Sequence, residues 1–128
     1  GSLIRDNSTL VPAHYHMSLG GVTTAFMAAV LELLGDLGAL LASVRSRRWA
    51  AAQPLLYGGG MALMAIGFGM AGSVRKTYGT EQVVRSTSEW AGLVTMGIGG
   101  VISTVGGVVF LVLMVLALRA RRRARAGA

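Results

Sequence analysis

The chain has 128 residues, 53% of them apolar and only 13% charged, with a net charge of +7 and no cysteine. So low a charged share, with the charges gathered between and beyond long apolar runs, excludes an ordinary soluble globule. It equally excludes a nucleic-acid-binding domain, which would carry basic residues along one face. Without cysteine there is neither a disulfide framework nor a thiolate metal site. What remains is an all-α, polytopic membrane protein, long enough for three transmembrane helices.

Residues 1–11 read as a polar loop, with the turn and cap formers Asp6, Asn7, Ser8 and Thr9. No cleavage-like pattern follows a basic stretch there, so no signal peptide is expected. The first helix is predicted over 12–41. Pro12 suits a first turn, where its missing N–H costs nothing. His14 and His16 follow, the only histidines in the chain. Two positions in a period of 3.6 are about 200° apart, so the imidazoles leave opposite faces. They cannot readily chelate one ion, but each can ligate a separate cofactor. Imidazoles at membrane depth point first to function; the plainer alternative is two histidines hydrogen-bonded at a helix interface.

Glu32 and Asp36 come near the far end of this run, Glu32 roughly 27 Å of helix beyond His14. The histidines and the acids therefore belong to opposite sides of the bilayer. An interfacial pair is the simpler reading of the acids, and proton uptake at Glu32 the alternative.

Residues 42–48 form a short basic loop containing Arg45, Arg47 and Arg48. Trp49 would anchor the second span, 49–74, at the interface. Pro54 falls in its first turns, and Gly58-Gly59-Gly60 permits close backbone approach. Ala65, Gly69 and Ser73, four apart, suggest a small-residue face. Met17, Met27, Met61, Met64 and Met70 suit adaptable packing better than ligation. The loop 75–90 opens on Arg75-Lys76-Thr77-Tyr78, and 80–89 has a weak short-helix pattern. The third span, 91–118, carries Gly99, Ser103 and Gly107 as a second small-residue stripe. The tail, 119–128, holds five arginines and reads as a solvated, frayed stop-transfer anchor attracted to anionic headgroups.

Three spans put loop 42–48 and the tail on one side, with eight arginines between them. The other side has Arg5, Arg75, Lys76 and Arg85, offset by Asp6, Glu81 and Glu89. The positive-inside rule makes the arginine-rich side cytoplasmic and places His14, His16, Arg75 and Lys76 toward the outer face. Alone, a basic pair at a helix end is an interfacial anchor. On the same side as two helix-embedded histidines, it is also a candidate partner for carboxylates of a bound cofactor.

The segment Asn7-Ser8-Thr9-Leu10-Val11-Pro12-Ala13-His14-Tyr15-His16, continued by Gly20-Gly21-Val22-Thr23-Thr24-Ala25-Phe26-Met27, resembles the tenth transmembrane helix of the catalytic subunit of haem-copper terminal oxidases. The likeness extends along the chain as helices ten to twelve. It implies that His14 is the proximal ligand, and so the catalytic residue, of a high-spin oxygen-reducing haem. It implies that His16 is an axial ligand of the low-spin haem supplying electrons. Arg75 and Lys76 would pair haem propionates, although the family usually has two arginines there and Lys76 is a point donor without a fork.

The copper ligands, the cross-linked tyrosine and the second low-spin ligand belong to earlier helices and have no counterpart here. The resemblance therefore implies a larger membrane polypeptide as partner, with copper bound there, and a cytochrome or quinol as electron donor. The chain alone is expected to be inactive, either one polypeptide of a split subunit or a fragment. Lipid, but no nucleic acid, is the other expected partner. The expected location is a prokaryotic plasma membrane, N-terminus outside and C-terminus cytoplasmic. Two alternatives stand beside this reading: a nitric oxide reductase-like member of the superfamily, and a non-catalytic accessory or assembly subunit.

Overall fold

The computed structural model describes residues 10–39, 41, 43–71 and 86–127. Among the described residues there are three helices: α1 (Leu10–Leu33), α2 (Val44–Met70) and α3 (Thr87–Ala126). All three are long and apolar enough to cross a membrane, and the protein is an all-α, multi-pass membrane protein. Large apolar side chains such as Phe26, Leu55, Val101 and Leu111 are exposed, as expected where the surrounding solvent is lipid rather than water.

The first helix stops earlier than expected. Leu34–Gly38 is a turn, and Gly38 adopts φ 65°. Ala39 donates its N–H to the Leu34 carbonyl (2.8 Å) and Gly38 to that of Gly35 (3.0 Å). This is the Schellman arrangement, in which a left-handed residue just past the helix satisfies two orphan carbonyls. Its usual apolar contact is present too, because Leu34 and Ala39 are buried together with Ala117 of α3.

The second helix begins before the apolar run. Ser43 caps it by accepting from the Ser46 N–H (3.0 Å), so Arg45, Arg47 and Arg48 lie within its first turns rather than in a loop. Pro54 is consequently interior to α2. The carbonyl one turn before it loses its helical partner, a defect that membrane helices tolerate through their neighbours.

The third helix starts at a Ser-x-x-Glu sequence, Ser86 accepting from the Glu89 N–H (3.1 Å). It runs through the arginine tail to Ala126 instead of fraying at Leu118. Alanine and arginine are strong helix formers, and Arg123 and Arg125 in the last turn oppose the negative end of the helix dipole. At 40 residues α3 is roughly 60 Å long, twice the hydrocarbon thickness, so one end must stand clear of the bilayer.

The helices α2 and α3 pack antiparallel along a seam of period seven. Buried positions on α2 include Ser46, Gln53, Gly60 and Gly67, and those on α3 include Gly92, Gly99, Gly106 and Leu113. Contacts are reciprocal. A Cβ added at Gly60 would come within 2.8 Å of the Gly99 carbonyl oxygen, and one at Gly99 within 2.7 Å of the Gly60 oxygen. Gly67 and Gly92 are related in the same way, and a Cβ at Gly106 would meet the Tyr57 backbone at 2.6 Å.

Of the expected four-residue stripes, Ala65, Gly99 and Ser103 are buried, and the remaining positions are corrected. On α2, Gly69 faces open space and Ser73 lies outside the described residues, while on α3 Gly106 rather than Gly107 makes the close approach. Steps of four residues drift about 40° around a helix, whereas steps of seven drift only about 20°, so a long antiparallel contact follows the latter.

Against the other side of α2 lies α1, also antiparallel. Its contacts descend in order: His16 on Phe68, Gly20 beneath Met61, Thr24 beside Gly58, and Met27 at Gln53. Gln53 ties all three helices together. Fully buried, it donates its side-chain N–H groups to the Met27 sulfur and the Gly106 carbonyl, both at 3.2 Å.

Candidate functional site

The two histidines occupy the first two turns of α1, at the end where α2 finishes. His16 is half-buried on the α2 side, its ring 5.0 Å from that of Phe68 and tilted by 40°. His16 Nδ1 lies 2.7 Å from the Pro12 carbonyl oxygen. A carbonyl only accepts, so Nδ1 is the donor of this bond and Nε2 is the ring nitrogen left for another partner. Metal-ligating histidines are commonly oriented by this kind of bond, the distal nitrogen being held by a backbone carbonyl.

His14 is exposed on the opposite side of α1. Among the described residues its one ring neighbour is the adjacent Tyr15, at 6.3 Å and 58°. Continuing from His14 along the same face, Ser18, Gly21 and Ala25 recur at helical spacing, all exposed, and a Cβ at Gly21 would meet nothing within 4 Å. A histidine above a strip of small residues leaves space for a flat, apolar ring lying against the helix. Gly20 is the only buried residue of α1, and the face that carries His14 is exposed among the described residues.

The structure thus keeps the two imidazoles apart. Among the described residues no three His, Cys, Asp or Glu side chains gather at one point. Two imidazoles on opposite faces can each offer a nitrogen to a separate group. Arg75, Lys76 and Tyr78 lie outside the described residues.

At the other end, Glu32 and Arg47 line one hollow of about 600 Å³ between α1 and α2, together with Leu31, Leu34, Gly35 and Leu41. Asp36 is exposed in the closing turn of α1. Sequence reasoning passed over three features: the Phe68 contact, the strip below His14, and the three-helix junction at Gln53. The strip was legible, since positions three, four and seven apart share a helix face. Phe68 and Gln53 were not, because both depend on how α2 is rotated.

Fold and site together define a multi-pass helical membrane protein bearing two independently placed imidazoles on one span. The chain matches no protein-family model, no curated protein and no solved structure.

Proposed function

We propose that this chain is the haem-ligating part of a respiratory terminal oxidase, an enzyme that reduces dioxygen to water and is completed by a partner chain bearing the copper ligands. The observation that carries the reading is the pairing on α1. His16 has its Nδ1 proton committed to Pro12 and its Nε2 lone pair available, while His14 rises from an open strip of small residues on the other side. Haem iron, when bound, supplies electron storage and an open coordination position for dioxygen.

The chain's own residues hold and orient the two groups. His16 presents Nε2 in one tautomer and one orientation, fixed by the Pro12 carbonyl and the Phe68 ring. His14 presents an imidazole where Ser18, Gly21 and Ala25 let a flat ring approach the backbone. One rigid helix then sets the relation between both sites, and positions held on a helix are better defined than positions on a loop. Arg75 and Lys76, which follow α2 in the sequence, would pair carboxylates of the bound groups. In this reading the N-terminus faces outward and the eight arginines at the start of α2 and the end of α3 face the cytoplasm.

The test separates the two histidines in the assembled complex. His16→Ala should remove the six-coordinate low-spin signal and leave a carbon monoxide-binding haem after chemical reduction. His14→Ala should spare the low-spin spectrum and weaken or shift the carbon monoxide difference spectrum. Low-temperature optical and paramagnetic resonance spectra of both variants decide it. Retention of both signals in both variants would end the ligand assignment, and selective loss in the reverse order would exchange the roles.

A further inference from the structure

At the end of the bundle away from the histidines, two hollows adjoin. One is a groove of about 310 Å³ between the start of α2 and α3, walled by Trp49, Val108, Val112 and Leu116 and edged by Arg45. The other, about 280 Å³, is lined by Ser43, Arg119 and Arg123. Ser43, Ser46 and Leu116 line both, so a single molecule can reach from one into the other. Arg119 and Arg123 are one turn apart and share a helix face. Among the described residues no carboxylate pairs with Arg45, Arg119 or Arg123. The first turn of α2 carries no acidic residue either, leaving its positive dipole end uncompensated.

We propose that this place binds one phospholipid with an anionic headgroup. The phosphate sits among Arg119, Arg123 and Arg45 near the Ser43 end of α2, and one acyl chain lies along the apolar groove. The dimensions agree: from Leu116 to Val108 the wall runs roughly 12 Å, most of one bilayer leaflet. The chemistry agrees as well, because the cationic rim and the apolar wall are arranged head to tail, the pattern of an amphiphile. Trp49 in the wall marks the depth of the membrane–water boundary. This site goes beyond the general attraction of a basic tail to a charged surface, because only some of the tail arginines line it. It is independent of haem binding.

The matched control is built into α3. Arg121 and Arg125 are also one turn apart but leave the helix on roughly the opposite face, and neither lines the hollow. The purified full chain in neutral micelles is titrated with dioleoyl phosphatidylglycerol or dioleoyl phosphatidylcholine, and bound lipid is counted by native mass spectrometry. One phosphatidylglycerol per chain should bind more tightly than phosphatidylcholine by roughly 5–30-fold, the factor expected of two arginines near an anionic group. Arg119→Gln with Arg123→Gln should erase that preference, whereas Arg121→Gln with Arg125→Gln, at equal net charge, should keep it. Val112→Trp, at an exposed groove position, should weaken phosphatidylglycerol binding without any change in charge. Inorganic phosphate at millimolar concentration should not displace the lipid. Equal loss in the two arginine pairs would reduce the effect to net charge and overturn the site. Equal binding of the two lipids would overturn it outright, and an inert Val112→Trp, or displacement by phosphate, would overturn the seating of the acyl chain.

Discussion

Gly99→Ala tests the α2–α3 seam most directly. The added Cβ would stand 2.7 Å from the Gly60 carbonyl oxygen and closer still to the Met64 amide nitrogen. Ordinary contact needs 3.4 Å or more, and both neighbours are helix backbone, which cannot swing aside as a side chain does. The helices must part by the order of 1 Å, and such a gap forfeits a quarter to a half of each dispersion contact along the seam. Overpacking of this sort costs about 1–3 kcal/mol, and rigid backbone on both sides puts Gly99 near the upper figure. Gly97, two residues earlier, is exposed and would meet nothing within 4 Å. Gly97→Ala should therefore be neutral or stabilise by up to about 1 kcal/mol through helix propensity. The double change Gly60→Ala with Gly99→Ala should cost less than the sum of the two single changes, because helices already parted by one methyl meet the second more loosely. Steric-trap unfolding in bicelles measures all four. If Gly97→Ala costs as much as Gly99→Ala, the close approach of the two backbones is refuted.

Gly38→Ala should destabilise by about 1–2 kcal/mol, since φ 65° is unfavourable for a residue with a Cβ, and Gly38→Asn should cost less; the same unfolding assay reads the order. Gln53→Leu should change stability by less than about 1 kcal/mol, because it loses the donors to Met27 and Gly106 but also removes a buried Oε1 that has no partner among the described residues. Gln53→Ala should cost at least about 2 kcal/mol through the cavity it leaves at the three-helix junction, and a smaller loss than for Gln53→Leu would contradict that packing. Cysteine placed at Ser88 should react with an impermeant thiol reagent in intact cells while cysteine at Gly127 should not; the opposite pattern would reverse the proposed orientation.

Much of this protein was legible from its sequence. Three apolar runs between clusters of charge mark three spanning helices, because a bilayer imposes length and polarity on every segment that crosses it. The opposite directions of His14 and His16 follow from the helical period alone, as does the strip Ser18, Gly21 and Ala25 below His14. The end of α1 was also written locally, in Gly38 four residues past the last apolar turn, but the acidic and apolar residues around it read equally well as more helix.

What the sequence alone left undecided was rotation. Nineteen glycines offer many small-residue stripes; spacing by four joined Ala65, Gly99 and Ser103, which are buried, to Gly69 and Gly107, which are not, where spacing by seven runs through Gly60, Gly67, Gly92, Gly99 and Gly106. A glycine's contribution is the neighbour it lets approach, and that neighbour belongs to another helix. The same reason hid Phe68 against His16 and Gln53 among three helices. Periodicity fixes which residues share a face, while the packing of helix on helix decides which face is buried and against what.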